Sequence, residues 1–195
     1  MNGENNLNAI FEASYQNPKV AAETLSKSGY TFDTSLSSPD TKVFVDKSGA
    51  PHIAYRGSHR VEDVLTDIKL GLGYDTKRQK EARETAKAVE AKYGKPATAY
   101  GHSLGGALAE GSGVGGKVIT FNKAVAAKDV FKSVPKTQTD YRTTRDIVSL
   151  PSMFQKGGKK VLIESKGDVI SAHRLGAFGG KKKTIQSGNP LASFF

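Results

Sequence analysis

Apolar and polar positions along the chain divide it into short segments with different periods. In "TKVFVDKSGAPHIAYRGS" Val43 and Val45 stand two apart, Asp46 to Gly49 carry turn residues, and His52 to Tyr55 return. That pattern predicts a β-hairpin. Upstream, Asn17 can cap a helix, Pro18 suits its first turn and Gly29 can end it. Residues 75–93 have Ala82, Ala86, Val89 and Tyr93 at helical spacing with charge on the other faces, then Gly94 and Pro96 as stops. A strand follows at 97–100, a helix from Leu104 to Glu110 and a strand at 117–122. Further strands are expected at 140–149 and 159–165. The middle of the chain therefore reads strand, helix, strand, helix, strand. This is an α/β fold class with a central, mostly parallel sheet flanked by helices.

Composition narrows the chemistry. The chain has 195 residues, 37% hydrophobic and 25% charged. This suits one soluble domain, expected at 1–180, with a basic and flexible tail at 181–195. No apolar run is long enough to span a membrane, and the polar, acidic start lacks the basic and apolar parts of a secretion signal. There is no cysteine, which removes disulfides, thiolate catalysis and cysteine-bound zinc. The four histidines, at 52, 59, 102 and 173, show no metal-ligand spacing, so no metal is expected. The net charge is +10, and from Lys156 to Lys183 there are eight basic residues against two acidic ones. Such a surface serves solubility or meets an anionic partner, an anionic membrane surface first; nucleic acid is not expected.

"ATAYGHSLGGALAEG", residues 97–111, carries the candidate chemistry. A GxSxG match alone says little. Here it falls between a predicted strand and a predicted helix, the setting of a nucleophile held on a tight turn. A side chain at either glycine would collide with neighbouring backbone. The helix start directs N–H groups and the positive dipole end towards the reacting oxygen. Ser103 is the candidate nucleophile and Leu104 N–H one oxyanion donor.

"IAYRGSHRVEDVLTDIKL", "AYGHSLGGALA" and "VITFNKAVA" resemble three successive blocks of the class 3 lipase family of α/β-hydrolases. "RTTRDIVSLP" and "AHRLGAF" are similar, more loosely, to the segments that carry that family's aspartate and histidine. The resemblance covers about residues 40–178 and implies an α/β-hydrolase fold. It departs at Asn122-Lys123, where a glycine and an apolar residue are usual, and at Asp63-Val64, where Asp-Trp is usual. The stretch between the RGS block and the elbow is also short and leaves little room for a large lid; residues 59–74 read equally as a short lid or as a packed helix.

The hydrolase order is Ser, then acid, then His. His52 and His59 come too early and His102 lies inside the elbow, which leaves His173 as general base. Asp146, after the strand that begins at Asp140, is the candidate acid, with Asp129 as its best substitute. Asp140 starts that strand at the wrong end, and Asp168 stands too near His173. The resemblance assigns Ser58 to complete the oxyanion hole, while Arg56 and Asp67 have structural roles. The expected function is hydrolysis of a lipid carboxylic ester, acylglycerol or phospholipid, through an acyl-enzyme and with no cofactor. The alternative is a hydrolase-fold protein, weak or inactive in catalysis, that binds an anionic membrane or nucleic acid.

Overall fold

The hairpin expected from residues 41–58 forms, as β2 (Thr41–Val45) antiparallel to β3 (Pro51–Tyr55), with Val43 opposite Ile53. Asp46 fixes its turn by accepting the N–H groups of Ser48 and Ala50, and Gly49 supplies a positive φ of 73°. The computed structural model of the chain describes residues 3–58 and 76–185. The proposed lid at 59–74, with His59, Asp63 and Asp67, lies outside the described residues.

Among the described residues the strands make one eight-stranded sheet in chain order. A short β1 (Thr31–Phe32) pairs with β2. From β3 onward the strands run parallel: β4 (Thr98–His102), β5 (Val118–Phe121), β6 (Gln138–Thr143) and β7 (Lys159–Ile163). Parallel neighbours need crossovers. Helices α3 (Thr76–Tyr93) and α4 (Leu104–Gly111) lie in two of them, on one face. Helices α1 (Gly3–Tyr15) and α2 (Pro18–Lys27) cover the other. Asn17 caps α2 by accepting from Val20 N–H at 3.1 Å, and Pro18 takes its first turn.

The period of two in the strands sorts the core into two layers. Val43, Ile53, Tyr55 and Ala99 pack against Ala82, Ala86 and Val89 of α3 and Leu108 of α4. Phe44, Ala54, Tyr100 and Phe121 pack against Ile10, Phe11 and Leu25 of α1 and α2. No helix of the described residues is long and apolar enough to cross a membrane.

Three segments differ from the sequence expectation. The acidic start carries no expected element, yet it forms α1, with Ile10, Phe11 and Ala13 buried. The strand expected at 140–149 runs from Gln138 to Thr143 instead. Its neighbours end at Phe121 and Ile163, level with Tyr141 and Thr143, so the ladder has little to pair with beyond. Of the tail expected from 181, Lys182–Ile185 form β8 antiparallel to β7, and residues 186–195 lie outside the described residues.

Candidate active site

The elbow is built as its glycines require. Ser103 sits at φ 57° and ψ −126°, between β4 and α4. A non-glycine residue pays strain for that conformation, and such strain clusters at functional sites. A Cβ on Gly101 would overlap the backbone of Gly105, and one on Gly105 would overlap the Tyr55 carbonyl. Ser103 N–H donates to Phe121 O at 3.1 Å, and Ser103 O accepts from Ala124 N–H at 3.1 Å. The turn is thus held from both sides. Gly106 N–H donates to Ser103 O at 3.0 Å, while the first N–H groups of α4, Leu104's among them, have no acceptor within the helix. Gly57 N lies 3.0 Å from where the Gly105 Cβ would be. This contact brings the Arg56–Ser58 segment alongside the elbow. Arg56 is spent on Asp40 at 2.6 Å, a structural role.

His173 ends the short helix α5 (Val169–His173), which Asp168 caps through Ser171 N–H. Its Nδ1 meets Asp146 Oδ1 at 3.0 Å, and both side chains are buried. Asp146 stands in the turn after β6, where it also accepts from the N–H groups of Val148 and Ser149. Burial works against its charge. The hydrogen bond and charge of His173, with the Ser149 and Val148 donors, outweigh burial and hold the carboxyl below its ordinary range. Ser103 Oγ and His173 Nε2 are buried, and neither has a hydrogen-bond partner among the described residues. The carboxylate thus occupies one imidazole nitrogen and leaves the other, and the hydroxyl, unspent. A set of this kind can take a proton from a hydroxyl and return it to a leaving group.

Three residues that the sequence reading did not assign to the site hold the His173 backbone. His102 Nε2 donates to the His173 carbonyl at 2.7 Å, while its Nδ1 accepts from the Tyr15 hydroxyl at 2.8 Å. Burial, then the nearby His173, push the His102 pKa down to about 3, so the ring is neutral. Asn122 Nδ2 donates to the carbonyls of Ala172 (2.9 Å) and His173 (3.2 Å), and its Oδ1 accepts from Thr143 N–H at 2.9 Å. Its φ of 45° is one that asparagine tolerates better than most side chains. Thr143 Oγ1 adds a bond to the Ala172 carbonyl at 2.7 Å.

The other candidates are used elsewhere. His52 is a strand residue bonded to Tyr100 at 3.0 Å. Asp129 closes a 3₁₀ turn at Ala127–Asp129. Asp140 lies within β6 rather than at its start. Its carboxylate is buried between Lys123 and Lys160, with Thr120 and Gln138 donating as well. No group of His, Asp and Glu suited to a metal ion occurs among the described residues.

A family model described as a Tle-like phospholipase domain matches residues 5–173. The extracellular phospholipase A1 of Serratia liquefaciens is 34% identical over 74 residues, which are 37% of this chain and 23% of that protein. The aligned segment therefore spans under a quarter of that relative's length. Among solved structures, a Rhizomucor miehei lipase propeptide complex superposes with a TM-score of 0.55 at 13% identity, over 91% of this chain and 76% of that one. The Lip2 lipase from Yarrowia lipolytica gives 0.53 at 16% identity, over 87% and 81% of the two chains. At such identities the likeness is one of fold, that of the lipases.

Proposed function

The chain belongs to the family of Tle-like phospholipase domains, and from that premise we propose that it hydrolyses an acyl ester of phospholipid through an acyl-enzyme on Ser103. One observation carries the reading. A buried Asp146–His173 pair with an unpartnered Nε2, together with an unpartnered serine hydroxyl held at the strained position of an elbow, supports it. The family description favours a phospholipid over an acylglycerol.

His173 Nε2 takes the Ser103 proton as Oγ attacks the ester carbonyl. The negative charge on the carbonyl oxygen meets the N–H groups of Leu104 and Ser58. Asp146 keeps Nδ1 protonated and stabilises the imidazolium. His173 then gives the proton to the departing alcohol, a lysophospholipid. In the second half His173 deprotonates a water as its oxygen attacks the acyl-enzyme, then returns that proton to Oγ as the Oγ–acyl bond breaks, which frees the fatty acid and restores Ser103. No cofactor enters.

The test is hydrolysis of phosphatidylglycerol, phosphatidylcholine and triacylglycerol by the full chain, with products identified by mass. Lysophospholipid and fatty acid in equal amounts are expected, absent from Ser103→Ala. Release of phosphorylated headgroup instead of fatty acid, or equal turnover by Ser103→Ala, overturns the proposal.

A further inference from the structure

At the carboxyl edge of the sheet, β6 and β7 end side by side and β8 begins. Thr144 N–H donates to Ile163 O at 2.9 Å, and Glu164 N–H to Lys181 O at 2.8 Å, so the three segments meet there. Arg174, directly after His173, joins them. They line an open cleft of about 960 Å³ whose charged groups are Arg145, Lys166, Arg174 and Lys181 against Glu164. Four cations against Glu164, with Asp168 near Arg174 at the margin, leave the cleft with a net positive charge that favours anions. Arg145 is held across it by donation from Nη1 to Gly167 O at 2.9 Å. Lys166 and Lys181 are exposed and have no carboxylate partner among the described residues.

Apolar groups border the same edge. Ile147 is 49% exposed and directly follows Asp146, and Ile170 is 36% exposed on α5, three residues before His173. Two exposed isoleucines beside the buried Asp–His pair, next to a cationic cleft, match the layered chemistry of a membrane surface. The cations fit lipid phosphates and the isoleucines fit the acyl boundary beneath them.

We propose that this edge is a docking face for an anionic phospholipid bilayer, seated by Arg145, Lys166, Arg174 and Lys181 with Ile147 and Ile170 entering the acyl boundary. This docking deepens the reading of Ser103 and His173 as the reacting pair, on which it rests, because it brings a phospholipid surface to the sheet edge beside Asp146 and His173. The occupant is a bilayer rather than a free anion for two reasons. The cations come from separate segments around a wide cleft instead of converging on an enclosed pocket. The isoleucines, in turn, gain nothing from a dissolved phosphate.

The experiment uses the full chain carrying Ser103→Ala, so that hydrolysis cannot alter the vesicles. Sedimentation with phosphatidylglycerol vesicles is expected to retain it, and phosphatidylcholine vesicles are not. Lys166→Gln with Lys181→Gln should weaken binding on the order of thirtyfold at low salt, with the gap closing as salt rises. Lys80→Gln with Lys87→Gln, two exposed lysines of α3, removes the same charge elsewhere and should do little. The chain contains no tryptophan, so Ile147→Trp adds a single reporter. Its emission should shift to the blue on these vesicles, while that of Val20→Trp on α2 should not. Millimolar inorganic phosphate should leave the protein on the vesicles. Equal loss from both lysine pairs, an unshifted Ile147→Trp in sedimented protein, or displacement by phosphate overturns the docking face. Ester hydrolysis by the unaltered chain without docking overturns this inference alone. Docking without hydrolysis overturns the proposed reaction alone.

Discussion

His102 Nε2 donates to the main-chain carbonyl of His173 across 2.7 Å, joining the residue before the elbow serine to helix α5. Tyr15 of α1 completes the chain by donating to the other nitrogen of the same ring. A Cβ on Gly57 would overlap the Tyr15 hydroxyl, so the phenol also packs against the segment that carries Ser58. The first helix therefore reaches both sides of the candidate site. On this account His102 and Tyr15 are positioning residues. His102→Ala should lower kcat on the order of 10–100-fold on a soluble short-chain ester and leave KM little changed. Tyr15→Phe should lower it less, and His102→Asn should recover part of the His102→Ala loss. A change in KM alone would show that the ring acts on substrate binding rather than on His173.

Asn122 makes a second, separable prediction. Asn122→Gly keeps the left-handed backbone open but removes the bonds to Ala172, His173 and Thr143. It should loosen α5 and cut kcat several-fold or more. Asn122→Asp retains the acceptor for Thr143 N–H and faces two carbonyls with a carboxylate, so it should be the worse of the two. Steady-state kinetics of both variants, with melting temperatures beside them, check the order.

The acid is tested by a pair of variants. Asp146→Asn should cost about 10²–10⁴-fold in kcat, because the residue orients and stabilises the imidazole rather than transferring a proton. Asp129→Asn should leave kcat near its original value, since that side chain caps nothing and has no bond to His173 among the described residues. A silent Asp146→Asn beside a crippled Asp129→Asn would reverse the assignment.

Much of this was legible in the sequence where short-range rules act. The GxSxG spacing foretells the Ser103 turn because Gly101 answers to a collision with Gly105 four residues on, whereas Gly105 makes room for Tyr55 at the end of the neighbouring strand. The Asn17 cap and the Asp46 turn are likewise set by neighbours within a few residues. The supports of His173 were hidden for the opposite reason. Tyr15, His102, Asn122 and Thr143 are far apart in the chain, and only the packing of α1 and the order of β4, β5 and β6 brings them to one helix. Asn122 looked like a departure from the lipase pattern, although an asparagine at a glycine position is itself a hint of a left-handed backbone with a side chain put to use. Helix α1 did carry a signal in Leu7, Ile10, Phe11 and Ser14, spaced for one face. Strand β8 carried none, since three consecutive lysines read as a solvated run.

Buried charge gives a stability prediction. Asp140→Ala would leave Lys123, 1% exposed, and Lys160, 7% exposed, without their shared carboxylate. Removing one partner of a buried network costs about 3–5 kcal/mol. A large drop in melting temperature is expected, with ester hydrolysis retained at low temperature. Lost hydrolysis in a protein that melts normally would place Asp140 in the reaction.

Acid stability should carry the mark of His102. Its pKa is about 3 in the fold, against about 6.5 when unfolded. Above pH 6.5 the ring is neutral in both states and has no effect. As pH falls from 6.5 towards 3 the unfolded chain takes up a proton that the folded chain does not, and stability declines by about 1.4 kcal/mol per pH unit. Urea titrations of His102→Asn across that window should show a flatter slope. An unchanged slope would mean that other groups set the acid limit.

The central claim is that Ser103 is an activated nucleophile, and a fluorophosphonate probe reads it directly. The proposed oxyanion donors and His173 should let Oγ attack phosphorus, break the P–F bond with loss of fluoride and leave a stable adduct. One label per chain, mapped by peptide mass to Ser103 and absent from folded Ser103→Ala, is the predicted result. An unlabelled native chain, or equal labelling of Ser103→Ala, would contradict the account.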